Sequence, residues 1–171
     1  MMTENEYGKI ADIYDDLFND EQSLKENEAL IGMIGYKGGS VLDVGCGTGL
    51  FLDYTTPDEY LGIDESENML RQLKKKHPKA NVINVPVAYF ESNEKYDYIL
   101  ALFGVGSYLT LDDEEKLFNM LAQGGKAFFV YYKEGYYPVT YKKAGIKRKF
   151  RNTERKTFTF DDFDIYVYEN L

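Results

Sequence analysis

The strongest chemical signal in the sequence is a run of glycines that follows an apolar segment. Residues 41–44 are apolar except for Asp43, and Gly45, Gly47 and Gly49 come next at alternate positions. Because glycine has no Cβ, such a turn can be tight and a ligand can lie directly on its backbone. The helix expected after the turn has free N–H groups and a positive end, which suit a carboxylate or a phosphate. The segment therefore predicts a ligand-binding turn between a strand and a helix.

The spacing of these glycines bears on the kind of cofactor. A dinucleotide-binding turn reads G-x-G-x-x-G, whereas Gly49 comes only two positions after Gly47. The carboxylate of Asp43 would repel a pyrophosphate but would attract an ammonium group. The glycine spacing therefore argues against a dinucleotide, and Asp43 favours a ligand that carries an amino group. An NAD-dependent oxidoreductase is the less favoured alternative.

A second acid ends another apolar segment. Residues 60–63 run into Asp64 and Glu65, and Asp64 comes 15 positions after Gly49. An acid at the tip of a second parallel strand lies beside the first loop, where its two oxygens can accept both hydroxyl groups of a ribose. Asp64 is the predicted ribose ligand, and Glu65 takes that role if the register differs by one residue.

Short apolar segments alternate with amphipathic ones along the chain, which predicts a mostly parallel sheet covered by helices. The predicted strands are residues 41–44, 60–63, 82–87, 98–103 and 127–132. Helices are predicted from Asp20 to Ile34, from the cap Ser66 to Pro78, and from a capping box of Thr110 and Asp113 to Gly124 and Gly125. Two further strands, residues 146–150 and 163–168, are expected to be joined by a polar turn and to finish the sheet in antiparallel fashion.

Composition narrows the class of protein. A chain of 171 residues fits one domain, and none of its apolar runs approaches the roughly 20 residues needed to span a bilayer. The N-terminus is acidic and lacks the features of a signal peptide. The single cysteine, Cys46, suits a reducing compartment. We therefore expect a cytoplasmic protein with no membrane partner.

Charge is distributed unevenly. The net charge of −9 argues against binding nucleic acid through the whole surface. Residues 133–171 nevertheless hold 9 Lys and Arg against 6 Asp and Glu, and eight of these bases lie between Lys142 and Lys156. This stretch is either a solvated basic face or a local contact for an anionic substrate or partner.

The glycine segment resembles a known family motif. Its sequence V-L-D-V-G-C-G-T-G, residues 41–49, is similar to the first motif of the class I S-adenosylmethionine (SAM)-dependent methyltransferases. The similarity extends over residues 7–132. It implies one α/β domain, a three-layer Rossmann-like sandwich whose mostly parallel sheet ends in an antiparallel C-terminal strand. It also implies SAM as cofactor, S-adenosylhomocysteine (SAH) as product, no metal, and in-line transfer of the methyl group to an acceptor that we expect to be a small molecule.

The same resemblance implies roles for individual residues. Gly45, Gly47 and Gly49 would give SAM room, and Asp43 would hold its methionyl amino group directly or through water. Cys46 would be a packing residue of the motif rather than a nucleophile. The residues that end the next strands contact SAM in the family; here they are Asp64 or Glu65, then Ala101, Leu102 and Phe103.

The adenine side departs from the family pattern. Relatives carry an acid after the third strand that accepts from the adenine amino group, but residues 85–89 contain none. Adenine must then be read by backbone groups, by an apolar wall around Val87, or by Glu91 reaching back. Met69 either packs against the adenosine or belongs to the core. The missing acid modestly favours a second alternative, a non-catalytic binding or regulatory protein on the same fold.

Residues 7–17 resemble a family segment, Y-x-x-I-A-x-x-Y-D-x-L, that folds over the cofactor pocket as a lid. Tyr7 and Tyr14 are the candidates to face the methyl group. His77 is the only histidine, is expected at the surface, and offers no persuasive general base. We therefore expect catalysis by proximity, with Tyr14 and Tyr108 near the acceptor. Further aromatic residues that could line its site are Tyr131, Tyr132, Tyr136 and Tyr137.

The predicted organisation is a single domain over residues 1–171. Within it, residues 1–35 form the lid and N-terminal helices, residues 36–132 the SAM-binding core, and residues 133–171 the C-terminal strands.

Overall fold

The computed structural model describes residues 4–133, 153–160 and 162–171. The helices are α1 (Glu4–Ile10), α2 (Tyr14–Leu17), α3 (Glu21–Ile34), α4 (Leu50–Tyr54), α5 (Glu67–Lys76) and α6 (Leu111–Asn119). The strands are β1 (Ser40–Val44), β2 (Glu59–Asp64), β3 (Asn81–Asn84), β4 (Tyr96–Ala101), β5 (Leu121–Tyr132), β6 (Thr153–Thr159) and β7 (Phe163–Asn170). Two short 3-10 turns span Val87–Tyr89 and Val105–Tyr108.

The strands form one seven-stranded sheet in the order β3-β2-β1-β4-β5-β7-β6. The first five are parallel, and β7 pairs antiparallel with both β5 and β6. The predicted mostly parallel sheet with an antiparallel finish is therefore confirmed. The strand order reverses at β1, because β1 lies between β2 and β4. Sheets of this kind bind ligands at such a reversal, at the carboxyl ends of the strands.

Both faces of the sheet are buried, which explains the continuous apolar runs of the central strands. On one face Leu42 and Ile99 pack in a cluster with Leu117 of α6. On the other face their neighbours Val41 and Leu100 pack with Leu30 of α3. Adjacent residues of a strand point to opposite faces, so the sheet is the middle of three layers, as the resemblance implies.

The helix starts agree with the sequence. Asp20 caps α3 by accepting from the backbone N–H groups of Gln22 and Ser23, at 3.1 and 3.0 Å. Ser66 caps α5 in the same way. Thr110 and Asp113 form the predicted capping box of α6. Side-chain acceptors thus satisfy backbone donors that a helix cannot satisfy internally.

The predicted end of α6 is wrong. The helix stops at Asn119, and Gly124 and Gly125 lie inside the long strand β5. The carbonyl of Met120 already accepts from the N–H of Tyr96, at 2.9 Å, so the chain joins the sheet directly after the helix. The β4–β5 register shifts between Tyr96 and Tyr98. These glycines belong to that irregularity, where the residue is common.

The predicted boundaries of the last strand pair are partly wrong. The strand expected at residues 163–168 is present as β7, but its partner β6 spans Thr153–Thr159, which was assigned to a polar turn. An edge strand tolerates polar and charged residues because only one side of it is paired. The strand predicted at residues 146–150 lies outside the described residues. In the described ranges no helix has the length and apolar character needed to cross a membrane.

Candidate functional site

A cavity of about 380 Å³ opens at the carboxyl edge of the sheet, where the loops after β1, β2, β3 and β4 meet. The segments that border it are residues 44–48, 63–66, 85–88 and parts of 103–110. Tyr7, Tyr14, Leu50, Met69 and Asp113 complete its wall. The cavity therefore lies where parallel sheets of this kind bind ligands.

Hydrogen bonds of the glycine turn hold the turn itself. The N–H groups of Gly45 and Cys46 donate to the carbonyl of Ile63, at 2.8 and 3.1 Å, and the N–H of Gly49 donates to Cys46. The following helix α4 has only five residues. The free N–H groups expected at the start of that helix stay a prediction. The contribution of the turn to the cavity is a backbone surface without side chains.

Gly45 shows why that surface needs glycine. Its φ is +64°, and a Cβ at this position would lie 2.8 Å from Cγ2 of Val105. The turn after β1 thus touches the loop after β4 with no room for a methyl group. A positive φ is also costly for residues with a Cβ. Gly45 borders the cavity, as do Gly47 and Cys46, whereas Gly49 lies beneath Leu73 of α5 and does not.

Asp64 is held in place by two backbone donors. Its Oδ2 accepts from the N–H of Gly47 and its Oδ1 from the N–H of Ser66, both at 2.8 Å. The side chain is half-buried and borders the cavity. A carboxylate oxygen can accept more than one hydrogen bond, so Asp64 can bind a ligand while it fixes the turn. Glu65 also borders the cavity but is exposed, and the predicted register therefore suits Asp64 better.

Asp43 lies behind the turn rather than in the cavity wall. It is 3% exposed, and its Oδ2 accepts from the hydroxyl of Tyr60 at 2.9 Å. Burial raises its pKa to about 7, and the hydrogen bond from Tyr60 acts in the opposite direction. Of the two predicted contacts with an amino group, this position favours the one through water.

The N-terminal segment closes one side of the cavity. Tyr7, in α1, is within hydrogen-bond distance of Tyr108, with 3.1 Å between the two hydroxyl oxygens. The ring of Tyr14, at the start of α2, lies 6.2 Å from that of Tyr7. Burial and the contact with Tyr108 raise the pKa of Tyr7. Tyr7, Tyr14 and Tyr108, which the sequence singles out as candidates, therefore lie together at one wall of the cavity.

Helix α5 holds this segment with three polar side chains spaced one turn apart. The contacts run from Asn68 to the carbonyl of Gly8, from Gln72 to Asp12, and from Lys76 to Asp15. Residues four positions apart share one face of a helix, so a single stripe of α5 positions the segment over the cavity.

Asp15 also reaches the glycine turn. Its Oδ1 accepts from the hydroxyl of Thr48 at 2.5 Å, and its Oδ2 accepts from Lys76 at 2.7 Å. Lys76 donates in addition to Asp53 of α4, which pairs with His77 at 2.6 Å. Burial lowers the pKa of Lys76, but the hydrogen bonds to both acids outweigh it and raise the pKa overall. His77 is therefore tied to Asp53 and does not border the cavity.

Several other predicted residues take different places. Met69 and Val87 border the cavity, although Met69 is only 4% exposed and also belongs to the buried core. Ala101 and Leu102 lie in the core rather than in the cavity wall: Ala101 is the last residue of β4, and Leu102 packs in the cluster that contains Leu30. Of the three residues predicted there, only Phe103 reaches the cavity.

Residues 85–88 border the cavity on the side where the sequence predicts an adenine contact without an acid. Lys116 of α6 donates to the carbonyls of Val87 and Ala88, at 2.6 and 3.0 Å, and so fixes this turn. Glu91 is exposed and does not border the cavity. Asp113 is a buried acid in the wall of the same cavity, and the sequence did not predict it there. Its spacing from Thr110 already explained it as part of a capping box.

A second cavity, of about 310 Å³, adjoins the first. Tyr14, Leu50 and Phe103 border both. Phe103 has a φ of +50° and is the one non-glycine residue with positive φ in the described ranges. Such strain is typical of functional loops. The hydroxyl of Tyr132 donates to the carbonyl of Phe103, at 3.2 Å, and supports this conformation.

Two predictions about acceptor-side aromatic residues can be checked. Tyr132 borders the second cavity, as predicted. Tyr131 does not, because its side chain is buried and donates to Glu114 at 2.7 Å. Tyr136 and Tyr137 lie outside the described residues.

Residues 41–125 match a family model described as a methyltransferase domain. Together with the fold and the site, this match shows a methyltransferase domain that is similar to those of the class I SAM-dependent methyltransferases.

Individual relatives are similar over different parts of the chain. The dTDP-3-amino-3,4,6-trideoxy-alpha-D-glucopyranose N,N-dimethyltransferase of Streptomyces venezuelae is 31% identical over 77 residues, which cover 44% of this chain and 32% of that protein. The plantazolicin methyltransferase BpumL, solved with a pentazolic desmethylPZN analogue and SAH, is 26% identical with a TM-score of 0.58, covering 71% of this chain and 51% of that one. The N-methyltransferase NodS of Bradyrhizobium japonicum shares the fold, with 15% identity, a TM-score of 0.67 and coverage of 89% and 98%.

Proposed function

We propose that this protein transfers the methyl group of SAM to a small-molecule acceptor and releases SAH. The observation that carries the proposal is the position of Asp64, which two backbone N–H groups hold at the wall of the cavity beside the glycine turn. The chain spans about a third of the length of the curated relative that it matches, so the proposed activity rests on this site together with the match to a methyltransferase domain.

We place SAM in the first cavity in the orientation that follows from these lining residues. Its ribose hydroxyls lie at Asp64, its adenine lies against the turn of residues 85–88, and its methionyl part follows the backbone of residues 45–48. The sulfonium group then comes close to Tyr14 and Phe103, which border both cavities. In this orientation the methyl group points toward the second cavity, where we place the acceptor.

The chain's contribution to the chemistry is orientation and the exclusion of water. The methyl group of a sulfonium is already activated, and an aligned nucleophile gains several kcal/mol from proximity alone. Tyr7, Tyr14 and Tyr108 form the wall near the reacting atoms, and Tyr14 and Tyr108 are the residues we place nearest the acceptor. The segment that carries Tyr7 and Tyr14 acts as the lid.

Two relatives support a small acceptor. One is named for an amino sugar substrate and another was solved with a pentazolic desmethylPZN analogue and SAH. We place the protein in the cytoplasm and treat residues 1–171 as one domain. The basic stretch of residues 142–156 remains a proposed contact for an anionic group, and residues 142–152 lie outside the described ranges.

Calorimetry tests the proposal. Folded protein should bind SAH and SAM but not NAD, and Asp64→Ala should weaken the affinity for SAH at least tenfold. Asp112→Ala, at an exposed acid of α6 away from the cavity, should bind as the unmodified protein does. If the folded protein takes up neither SAM nor SAH, the proposal is wrong. SAH binding without methyl transfer to any acceptor would instead support the non-catalytic alternative.

A further inference from the structure

The second cavity has the lining of a site for a cation. Three carboxylates border it, from Asp20, Glu26 and Asp162, and no Lys or Arg of the described residues does. Two described bases are adjacent in sequence to lining residues. Lys25 pairs with Glu21 at 2.5 Å, and the ammonium group of Lys133 is bound by the carbonyl of Phe160. Unbalanced negative charge in a recess raises the local concentration of cations.

Aromatic rings form much of the remaining wall. They belong to Tyr14, Phe18, Phe103, Tyr132 and Phe163. The rings of Tyr14 and Phe18 lie 4.9 Å apart at a tilted angle, so they present adjoining faces and edges. An ammonium group gains energy against the face of an aromatic ring, and gains more where water is excluded. Carboxylates and aromatic faces together are the usual surroundings of a bound amine.

Asn27 adds a buried polar group to this cavity. It is 8% exposed, it borders the cavity, and its amide makes no hydrogen bond to another described residue. The amide of Asn27 can therefore donate to, or accept from, a ligand in the cavity. The carboxylate of Asp20 is occupied by the cap of α3. Glu26 accepts one hydrogen bond, from the amide of Gln22 at 3.0 Å on Oε1, and its Oε2 can receive a ligand. Glu26 and Asp162 are therefore the acids best placed to receive a cation.

From these observations we infer that the methyl acceptor is a small amine, bound as its ammonium form in the second cavity by Glu26, Asp162 and the aromatic wall. The inference rests on the proposed function, since it names the substrate class of the same site. A cavity of about 310 Å³ is at the lower end of ligand pockets, which suits an amine of about one ring.

The docked ammonium loses a proton to solvent by way of a cavity carboxylate, and the nitrogen lone pair then attacks the methyl carbon of SAM. The carbon–sulfur bond breaks and its electron pair stays on sulfur, which becomes the neutral thioether of SAH. The methylated nitrogen carries the positive charge and gives up its own extra proton to water.

Three matched probes test the inference: 2-phenylethylamine, the neutral 2-phenylethanol and the anionic 3-phenylpropanoate. Calorimetry is carried out on the protein saturated with SAH. We expect the amine to bind at least tenfold more tightly than either of the others. With SAM in place of SAH, mass spectrometry should detect the N-methylated amine and neither methyl ether nor methyl ester.

Removing the negative charge of each cavity acid is the second test of the amine assignment. Glu26→Gln and Asp162→Asn should each weaken amine binding about tenfold and leave the affinities for SAH and 2-phenylethanol unchanged. Glu28→Gln, two positions along the same helix at an exposed site outside the cavity, is the matched control and should change none of them. Unchanged SAH affinity shows that a variant is folded.

The outcomes separate the two proposals. If SAH binds but the amine is not preferred, or if both cavity variants bind it as tightly as Glu28→Gln does, the amine assignment is overturned and the proposed function stands. If SAH itself does not bind, the proposed function fails and takes the amine assignment with it.

Discussion

The carboxylate of Asp15 accepts a hydrogen bond of 2.5 Å from the hydroxyl of Thr48, which joins helix α2 to the glycine turn. Asp15 is paired at the same time with Lys76 of α5. One side chain of the proposed lid therefore contacts both the glycine turn and helix α5, which follows the strand that ends in Asp64. The position of the lid and the shape of the cofactor cavity are coupled through this residue.

Loss of that coupling should weaken cofactor binding. Asp15→Asn removes the negative charge and leaves one acceptor oxygen, so the bonds from Thr48 and Lys76 cannot both persist and the N-terminal segment is held less firmly. We expect the Kd for SAH to rise about tenfold, which corresponds to about 1.4 kcal/mol. Calorimetry gives the value directly. Asp16→Asn, at the exposed neighbouring residue, is the control, and an equal rise in both variants would contradict a specific role for Asp15.

The close approach of Gly45 to Val105 predicts a rescue. Gly45→Ala introduces a methyl group at positive φ and 2.8 Å from Val105, which should cost about 2–4 kcal/mol in the free energy of unfolding. In the double variant Gly45→Ala/Val105→Ala the steric part should be relieved and only the backbone strain should remain. Urea unfolding of the four proteins measures both parts. Additive losses would show that the two residues do not constrain each other.

Tyrosine hydroxyls at the lid wall should contribute to orientation rather than to proton transfer. We expect Tyr14→Phe and Tyr108→Phe each to lower kcat about tenfold, less than the 10²–10⁴-fold loss typical of a removed general acid or base. Turnover is measured as SAH release with an accepted amine. If both variants retain full kcat, neither hydroxyl takes part. Tyr7→Phe tests the pair with Tyr108, because the double variant should lose no more than the larger single loss.

The buried acid Asp43 predicts a pH dependence of stability. Its pKa is raised from 3.8 to about 7 in the folded protein, so the folded state keeps a proton that the unfolded chain releases between about pH 4 and pH 7. Stability from this group is therefore present below pH 4 and is lost as the pH rises toward 7, by up to about 4 kcal/mol.

Asp43→Asn removes this dependence while its side-chain oxygen can still accept from Tyr60. Urea unfolding at several pH values between 4 and 8 should show the unmodified protein losing stability relative to the variant as the pH rises. Asp112→Asn, at an exposed acid, should follow the unmodified protein. Parallel profiles for the unmodified protein and Asp43→Asn would show that the raised pKa does not contribute.

Local sequence signals were sufficient for the central part of the fold. The strand that ends at Val44, the one that ends at Asp64 and the capping box at Thr110 each depend on residues close together in the chain, and all three are confirmed. The end of α6 was misplaced because Gly124 and Gly125 are compatible with both a helix stop and a strand irregularity. Pairing with β4, a long-range contact, decides between them.

The site was predictable where a motif fixes both residue type and position, as at Gly45 and Asp64. It was not predictable where distant segments meet. The contacts of Asp15 with Thr48 and Lys76 link residues 33 and 61 positions apart, and no local pattern signals them. The acidic second cavity likewise combines residues of α3 with Asp162, which only the folded sheet brings together.

Phe103 borders both cavities and can therefore couple the binding of two ligands. A ligand on one side that fixes the side chain or the backbone of this residue changes the surface offered on the other side. Thermodynamic linkage makes such effects mutual. An acceptor that raises the affinity for SAM must itself bind more tightly when SAM is bound, and by the same factor.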